Sequence, residues 1–285
     1  MKKIRLGVQL LFTIITNGYM YGFLNGKIFK GSLKHVCVPG LNCYSCPGAV
    51  ASCPIGALQA LLNQRGFQIP FGVLGFFFLF GSIFGRFVCG WLCPFGLVQD
   101  LLYKIPVFHK RKRLPFHHVL KYGKYVVLVL FAGIGSMFLF DGFAKVPAFC
   151  KYICPSGTFF GALPLLAVNE SLRSQIGGLF FWKAAFMLFI LILSVKCFRP
   201  FCQYLCPLGA VYGLFNRFSL VQIQWEKDKC ISCGACERSC PVALSKTEIS
   251  HSAECIRCGR CVEACPEKCL HFSPGRRLNE SGKSR

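Results

Sequence analysis

Long apolar blocks, rather than short periodic stripes, dominate the first two thirds of the chain. Four of them are long enough to cross a hydrocarbon layer about 30 Å thick, which takes about 20 residues of helix. They are residues 4–24, 69–88, 122–140 and 179–198. The pattern predicts a membrane protein that is mainly α-helical, with four transmembrane helices. The first block follows basic residues as a signal peptide does, but its length and the absence of a small-residue cleavage site predict an uncleaved anchor.

Basic residues are distributed unevenly among the segments between these blocks. The chain has 285 residues and a formal net charge of +22. Lys2, Lys3 and Arg5 precede the first block, and residues 110–113 form a basic cluster in the loop after the second. Because loops rich in Lys and Arg stay in the cytoplasm, we expect a multi-pass protein of the cytoplasmic membrane with both termini cytoplasmic. Topology and anionic lipid explain this charge, so no nucleic-acid partner is expected.

The C-terminal part carries two consecutive cysteine runs with the spacing C-x2-C-x2-C-x3-C-P, at residues 230–241 and 255–266. This spacing holds [4Fe-4S] clusters, and the fourth cysteine of each run ligates the other cluster. Zinc is disfavoured because its thiolate sites use separated pairs. The ligands expected for the first cluster are Cys230, Cys233, Cys236 and Cys265, and those for the second are Cys255, Cys258, Cys261 and Cys240.

The remaining cysteine motifs indicate an internal duplication. The pattern R-x-x-C-x-x-L-C-P-x-G occurs at residues 86–96 and again at 199–209, after the second and fourth blocks. Other Cys-Pro motifs follow the first and third blocks, at residues 43–54 and 150–155. We therefore expect a membrane domain, residues 1–220, made of two parallel repeats, 1–116 and 117–220. A small α+β ferredoxin domain, 221–275, and a basic tail, 276–285, would follow it.

A two-fold relation between the repeats would bring equivalent motifs together on each membrane face. The candidate ligands of an inner-face cluster are Cys89, Cys93, Cys202 and Cys206. The candidates at the outer face are Cys43, Cys46, Cys53, Cys150 and Cys154. Structural thiols are the alternative at the inner face, and disulfides are an equal alternative at the outer face. Three cysteines fit no complete set: Cys37, Cys197 and Cys269.

Each of these motifs ends in Cys-Pro followed by an apolar or amphipathic stretch. Proline suits the first position of a helix, so each terminal cysteine is predicted to lie at a helix N-terminus. The positive end of the helix dipole favours a thiolate or an anionic cluster at that place.

The inner motifs and the cysteine-rich tail resemble those of the NapH family, of the membrane part of NosR and of the related CcoG proteins. The tail by itself resembles the bacterial ferredoxin with two [4Fe-4S] clusters. The resemblance implies electron transfer from quinol toward partners outside the membrane. The chain lacks the large flavin-binding domain of NosR-like proteins, and its outer cysteine motifs depart from NapH. Candidate proton acceptors of a quinone site are Asp100, Asp141, His117 and His118.

Two functions remain open from the sequence. One is an iron-sulfur protein that passes electrons between a cytoplasmic donor or the quinone pool and a partner at or beyond the membrane. It would act as an electron carrier or as a quinol dehydrogenase subunit. The other, implied by the CcoG resemblance, is a metal reductase, for copper, or a cofactor-maturation factor that uses ferredoxin electrons at C-x3-C-P thiols. Redox partner proteins are expected on the cytoplasmic side, and also outside if the outer cysteines take part.

Overall fold

The computed structural model describes residues 2–63, 70–107, 110–138, 140–141, 144–249 and 251–274. Most of these residues are helical, in agreement with the apolar pattern. Two antiparallel pairs of strands accompany the helices: Phe140–Asp141 with Ala144–Lys145, and Val221–Trp225 with Leu270–Pro274. The predicted basic tail lies outside the described residues.

Two helices, His117–Phe138 and Gly178–Lys196, are long and apolar enough to cross a membrane. They coincide with the third and fourth predicted blocks. Only 22% and 17% of their most apolar windows are buried inside the protein, so most of their side chains face outward. The first of these helices is composite, since a π-helical stretch, Val127–Ile134, lies between the shorter α-helical pieces.

The first two apolar blocks form shorter helices than predicted. Lys2–Asn17 is followed by a separate helix, Met20–Asn25, because the chain turns around Gly18. Phe71–Phe84 ends at Gly85, whose φ of +52° is accessible to glycine at little cost. Apolar composition continues through both breaks, which is why the hydropathy pattern alone does not locate them.

Short helices begin directly after the Cys-Pro motifs, as predicted. Cys53, Cys93 and Cys206 each occupy the N-cap, and the following proline opens the helix. These helices are Pro54–Leu62, Pro94–Leu102 and Pro207–Phe215. After Cys154 and Pro155 the helical stretch runs through Gly157–Ala162 and Leu163–Val168. The remaining helices are Ser32–His35, which is a 3-10 turn, Phe87–Trp91, Ala148–Tyr152, Glu170–Arg173, Pro200–Tyr204, Ala235–Ser239 and Arg260–Ala264.

One apolar core joins the two repeats. Phe95 from the first repeat and Phe201 from the second are fully buried and meet edge to face, with ring centroids 5.4 Å apart. Burying a side chain of this size contributes about 1.5–3 kcal/mol relative to leaving it exposed. Cysteines of both repeats belong to the same core, so packing between the repeats positions the thiols.

Candidate metal centres

The two cysteine runs of the C-terminal domain surround two small cavities. Cys230, Cys233, Cys236 and Cys265 line one of them, together with Cys269. Cys240 lines the other with Cys255, Cys258 and Cys261. The fourth cysteine of each run thus lies with the first three of the other run, which is the arrangement that the ligand rule for two-cluster ferredoxins describes.

The loops around these cavities repeat the same backbone conformation. Gly234 and Gly259 have φ values of +70° and +74° at equivalent places. Ser232 and Arg257, two residues earlier, also have positive φ, at 55° and 50°. A left-handed conformation costs a residue with a side chain about 1–2 kcal/mol. Both loops therefore hold a backbone conformation that is unfavourable in an unfolded chain.

Four thiols from the two repeats come together beside this domain. Cys89, Cys93, Cys202 and Cys206 are each between 3% and 6% exposed. Burial raises the pKa of Cys202 and of Cys206, and neighbouring thiols of the set add to this effect. Gln99 donates a hydrogen bond to the Cys202 Sγ over 3.1 Å. These four cysteines form the inner set, and they are the ones that the duplicated pattern R-x-x-C-x-x-L-C-P-x-G grouped.

Two buried arginines cross between the repeats at the inner set. Arg86, from the first repeat, donates to the carbonyl oxygen of Cys202 at 3.0 Å. Arg199, from the second, donates to the carbonyl oxygen of Cys89. Gly96 leaves room for the Arg199 guanidinium, because a Cβ at Gly96 would lie 3.1 Å from its Nη1. The repeated R-x-x-C pattern therefore encodes a reciprocal link between the two halves.

Carboxylates neutralise both arginines. Asp100 accepts from the Nε of Arg199 at 2.7 Å and from its Nη2 at 2.6 Å, and from Arg5 at 2.8 Å. Burial disfavours the charged form of Asp100, but the charge and hydrogen bonds of Arg199, together with Arg5, outweigh it and lower the pKa of this carboxyl. Asp100, which the sequence suggested as a proton acceptor, is thus held in ion pairs with Arg199 and Arg5.

The helix dipole does not by itself ionise the thiols of the Cys-Pro motifs. Burial raises the pKa of Cys53 to about 12, and it also raises the pKa of Cys206. Desolvation therefore outweighs the favourable position near a helix N-terminus. A thiolate at these places needs a compensating positive charge or a metal. In the part of the chain that the structure describes, no three His, Cys, Asp or Glu side chains converge on a single point as in a mononuclear site.

The outer cysteines surround a larger cavity of about 550 Å³. Cys43, Cys53, Cys150 and Cys154 line it together with Cys37. Cys46 instead directs its Sγ toward Asn17, at 3.7 Å from the side-chain oxygen. Of the five candidates, four thereby share one site. Every cysteine among the described residues is a free thiol, including these.

Two lysines that the sequence reasoning missed lie at the outer set. Lys34 is 2% exposed, and Lys183 donates from its Nζ to the Cys150 carbonyl oxygen at 3.1 Å. The charge of Lys183 lowers the pKa of Cys43 and of Cys154 against the larger, opposing effect of burial. Burial lowers the pKa of Lys34, and the nearby Cys46 and Cys43 oppose this shift. The Lys34 Nζ donates a hydrogen bond to the Ala49 carbonyl oxygen.

Gln59 was also missed, although the spacing contained a signal. It donates to the Cys150 Sγ at 3.4 Å, as Gln99 does to Cys202. Both glutamines lie six residues after the cysteine of a Cys-Pro motif in the first repeat. The repeated spacing C-P-x4-Q therefore places an amide donor beside a thiol of the second repeat on each face.

The C-terminal domain packs directly against the inner set through the loop of its second run. The indole of Trp91 donates to the Arg257 carbonyl oxygen at 3.0 Å. Gly90 approaches the backbone of Ile256 so closely that a Cβ there would lie 2.3 Å from the Ile256 oxygen. Glu254 accepts from Arg86 at 3.0 Å and pairs with Lys124. The second and inner thiol sets are therefore neighbours.

Family comparisons agree with the cysteine motifs. A family model described as "4Fe-4S binding domain" matches residues 52–71, 66–115, 124–167 and 179–225. A second model, described as "4Fe-4S dicluster domain", matches residues 222–266. The four matches of the first model follow the four Cys-Pro segments of the repeats.

Several characterised and uncharacterised proteins are similar to the chain. An uncharacterized protein of Methanocaldococcus jannaschii is 33% identical over 58% of this chain and 55% of its own length. The regulatory protein NosR of Stutzerimonas stutzeri is 30% identical over 56% of the chain and 20% of its own length. The ferredoxin-type protein NapH of Haemophilus influenzae is 28% identical over 58% and 51%. Each match thus covers less than two thirds of the relative. No solved structure matches the chain.

Proposed function

The chain belongs to the NapH- and NosR-like family of 4Fe-4S-binding proteins, and from this premise we propose that it is a membrane-bound electron-transfer protein with clusters on both membrane faces. It passes electrons between a cytoplasmic donor or the quinone pool and a partner at or beyond the membrane. Its four apolar blocks span the cytoplasmic membrane as two parallel repeats, with both termini in the cytoplasm.

Four thiol sets would hold the clusters. The two runs of the C-terminal domain hold one each, with Cys265 and Cys240 exchanged between them. The inner set of Cys89, Cys93, Cys202 and Cys206 holds a third. Cys43, Cys53, Cys150 and Cys154 hold a fourth at the outer face. When bound, such clusters supply one-electron sites at intervals across a layer of about 30 Å, which is too thick for a single transfer.

One observation carries this proposal: the loop of the second cysteine run lies against the inner set. Trp91 stands between the two inner cysteines of its motif and bonds to the backbone beside Cys258. A domain that only stored iron would need no such contact. Because of this contact, the second cysteine run of the C-terminal domain and the inner set of the membrane domain are neighbours along one path for electrons.

Two lysines favour clusters over disulfides at the outer face. Lys34 and Lys183 line the cavity, and a thiolate-ligated cluster would give them an anionic partner that neutral disulfides would not. Burial disfavours a copper-reducing role at the inner thiols. These thiols are only 3–6% exposed, which leaves an incoming metal ion little access.

Iron and acid-labile sulfide per chain, measured on protein purified without oxygen, test the proposal. Four clusters give about 16 iron atoms, and a chain with clusters in the tail alone gives about 8. The variant Cys89→Ser/Cys202→Ser should lose about four iron atoms and keep the remainder. Cys197→Ser is the matched control, since Cys197 is equally buried and belongs to no set. A wild-type value of about 8 would overturn the membrane clusters.

A further inference from the structure

Tyr212 has a buried hydroxyl group with no hydrogen-bond partner among the residues that the structure describes. The side chain is fully buried in the core that joins the two repeats. Buried polar atoms almost always have a partner, so an unpaired one indicates a bound ion, a cofactor or another functional role. Cysteines of the inner and the outer set belong to the same core. Thiols are therefore among the acceptors that this core offers to the hydroxyl.

The internal duplication gives Tyr212 a counterpart in the first repeat. Tyr212 is the sixth residue after Cys206 of its Cys-Pro motif. Gln99 is the sixth residue after Cys93 of the equivalent motif. Both residues lie in the helix that the proline of the motif opens. Tyr212 and Gln99 therefore occupy equivalent positions in the two halves of the membrane domain.

The hydrogen bond of Gln99 indicates which thiol Tyr212 faces. Gln99 donates to the Sγ of Cys202 at 3.1 Å, and Cys202 is the first cysteine of the motif in the opposite repeat. The two arginines of the repeated pattern follow the same reciprocal rule. Exchanging the repeats turns the bond of Gln99 into one from Tyr212 to Cys89, which is the first cysteine of the other motif.

The hydroxyl of Tyr212 keeps its proton and can therefore act as a donor. Burial raises the pKa of Tyr212, and the thiols of Cys89 and Cys53 add to this effect. The ring of Phe77 packs against Tyr212, with ring centroids 6.1 Å apart. Val73, one turn earlier in the same helix, lines the outer cavity. Cys53 of the outer set is thus the competing acceptor, and an experiment must separate it from Cys89.

The outer set has a donor at only one of its two equivalent positions. Gln59, six residues after Cys53, donates to the Cys150 Sγ at 3.4 Å. The sixth residue after Cys154 is Phe160, whose side chain carries no donor. The inner set therefore differs from the outer set by the hydroxyl of Tyr212.

We propose that the Tyr212 hydroxyl donates a hydrogen bond to the Cys89 Sγ when this thiolate holds the inner cluster, and that this bond raises the reduction potential of the cluster. The inference rests on the proposed function, which places a cluster at the inner set. Reduction adds negative charge that spreads over the sulfur atoms, so a donor at sulfur stabilises the reduced form. Tyr212 is a positioning residue in this account, since it retains its proton throughout.

The sequence alone pointed to other polar groups as functional candidates. His117 Nδ1 lies 3.0 Å from the hydroxyl of Tyr204, and His118 is exposed. The side chain of Asp141 lies outside the described part of the structure. Tyr212 emerges only when the two repeats are compared position by position.

A redox titration followed by electron paramagnetic resonance tests the proposal on full-length protein purified without oxygen. The signal that is lost in Cys89→Ser/Cys202→Ser identifies the inner cluster. Tyr212→Phe keeps the ring and should shift the midpoint potential of that signal to a more negative value, with the other signals unchanged. Tyr212→Gln, which introduces the side chain found at the equivalent position, should restore part of the shift.

Tyr125→Phe is the matched control. The Tyr125 hydroxyl packs on the same helix, 3.6 Å from where a Cβ at Gly213 would lie, but Tyr125 belongs to no cysteine motif. Its removal should leave all midpoint potentials unchanged. An iron content of about 16 atoms in each tyrosine variant verifies that the clusters are retained.

Electron-nuclear double resonance detects the donated proton itself. Comparison of protein produced in ordinary and in heavy water should show an exchangeable proton coupled to the reduced inner cluster, and Tyr212→Phe should lack it. An inner potential that Tyr212→Phe leaves unchanged, or a coupling that survives in this variant, would overturn the inference. A shift of the outer signal instead would overturn the choice of Cys89. Wild-type protein with about 8 iron atoms and no inner signal would overturn the proposed function.

Discussion

The guanidinium of Arg86 donates a hydrogen bond to the carbonyl oxygen of Cys202, 3.0 Å away in the other repeat. Arg199 returns the same bond to Cys89. Both arginine side chains are 1% exposed, so water does not compete for these donors. Because each acceptor belongs to a thiol-bearing residue, the two arginines fix the halves of the inner set relative to each other.

Replacing Arg199 should therefore weaken the whole membrane domain. Arg199→Met leaves Asp100 buried with Arg5 as its remaining ion-pair partner, and breaking a buried pair costs about 3–5 kcal/mol. Thermal unfolding in detergent measures the loss. The double variant Arg199→Met/Asp100→Leu removes both charges and should recover part of the stability. Unchanged melting of the single variant would show that this pair does not link the repeats.

Docking of the C-terminal domain should depend on a glycine. Gly90→Ala places a Cβ 2.3 Å from the Ile256 oxygen, a backbone atom that cannot move aside alone. The domain must shift, at a cost of about 1–3 kcal/mol. Limited proteolysis between the domains should become faster. Gly75→Ala is the matched control, since a Cβ at Gly75 meets no atom within 4 Å. Equal cleavage of both variants would show that docking of the domain does not depend on the close approach of Gly90 to Ile256.

Replacing Cys265 and replacing Cys269 should change the iron content of the C-terminal domain differently. The Sγ atoms of Cys265 and Cys269 are 3.2 Å apart, and both line that cavity. We expect Cys265→Ser to lose about four iron atoms, because Cys265 completes the set of the first run. Cys269→Ser should retain them. Iron analysis and electron paramagnetic resonance of the two variants decide between the thiols, and the opposite result would reassign the ligand.

The outer cysteines should be thiols once iron is removed. We expect denatured, anaerobically chelated protein to react fully with an alkylating reagent before any reductant is added, because the outer cysteines form no disulfide in the structure. Mass spectrometry of the peptides that contain Cys43, Cys53 and Cys150 reports the modification. Alkylation that requires prior reduction would show disulfides instead. Cys197, which is buried and free in the structure, provides the internal reference.

Much of this arrangement can be predicted from the sequence, because the spacing of the cysteines and the positions of the prolines determine local structure. The Cys-Pro motifs predicted helix starts after Cys53, Cys93 and Cys206, and the structure confirms them. The duplicated R-x-x-C pattern grouped the inner cysteines that the fold brings together. Two of the four predicted spans, His117–Phe138 and Gly178–Lys196, appear as long apolar helices among the described residues. The ligand assignments and the membrane orientation stay predictions.

The features that escaped prediction depend on contacts between distant segments. Nothing in the local sequence distinguishes Cys46 from Cys53, and only packing turns Cys46 toward Asn17. Lys34 resembled an ordinary loop lysine until the fold buried it beside the outer cavity. Asp100 looked available for proton transfer because its partners, Arg5 and Arg199, lie about a hundred residues away in either direction.

The loop around Arg257, where the backbone is left-handed, joins the C-terminal domain to both repeats. The Arg257 side chain donates to the Phe84 carbonyl at 3.1 Å and to Ser219 at 2.6 Å, while its own carbonyl receives the Trp91 indole. Phe84 belongs to the first repeat and Ser219 to the second, so a movement of this loop would be transmitted to both halves of the membrane domain at once.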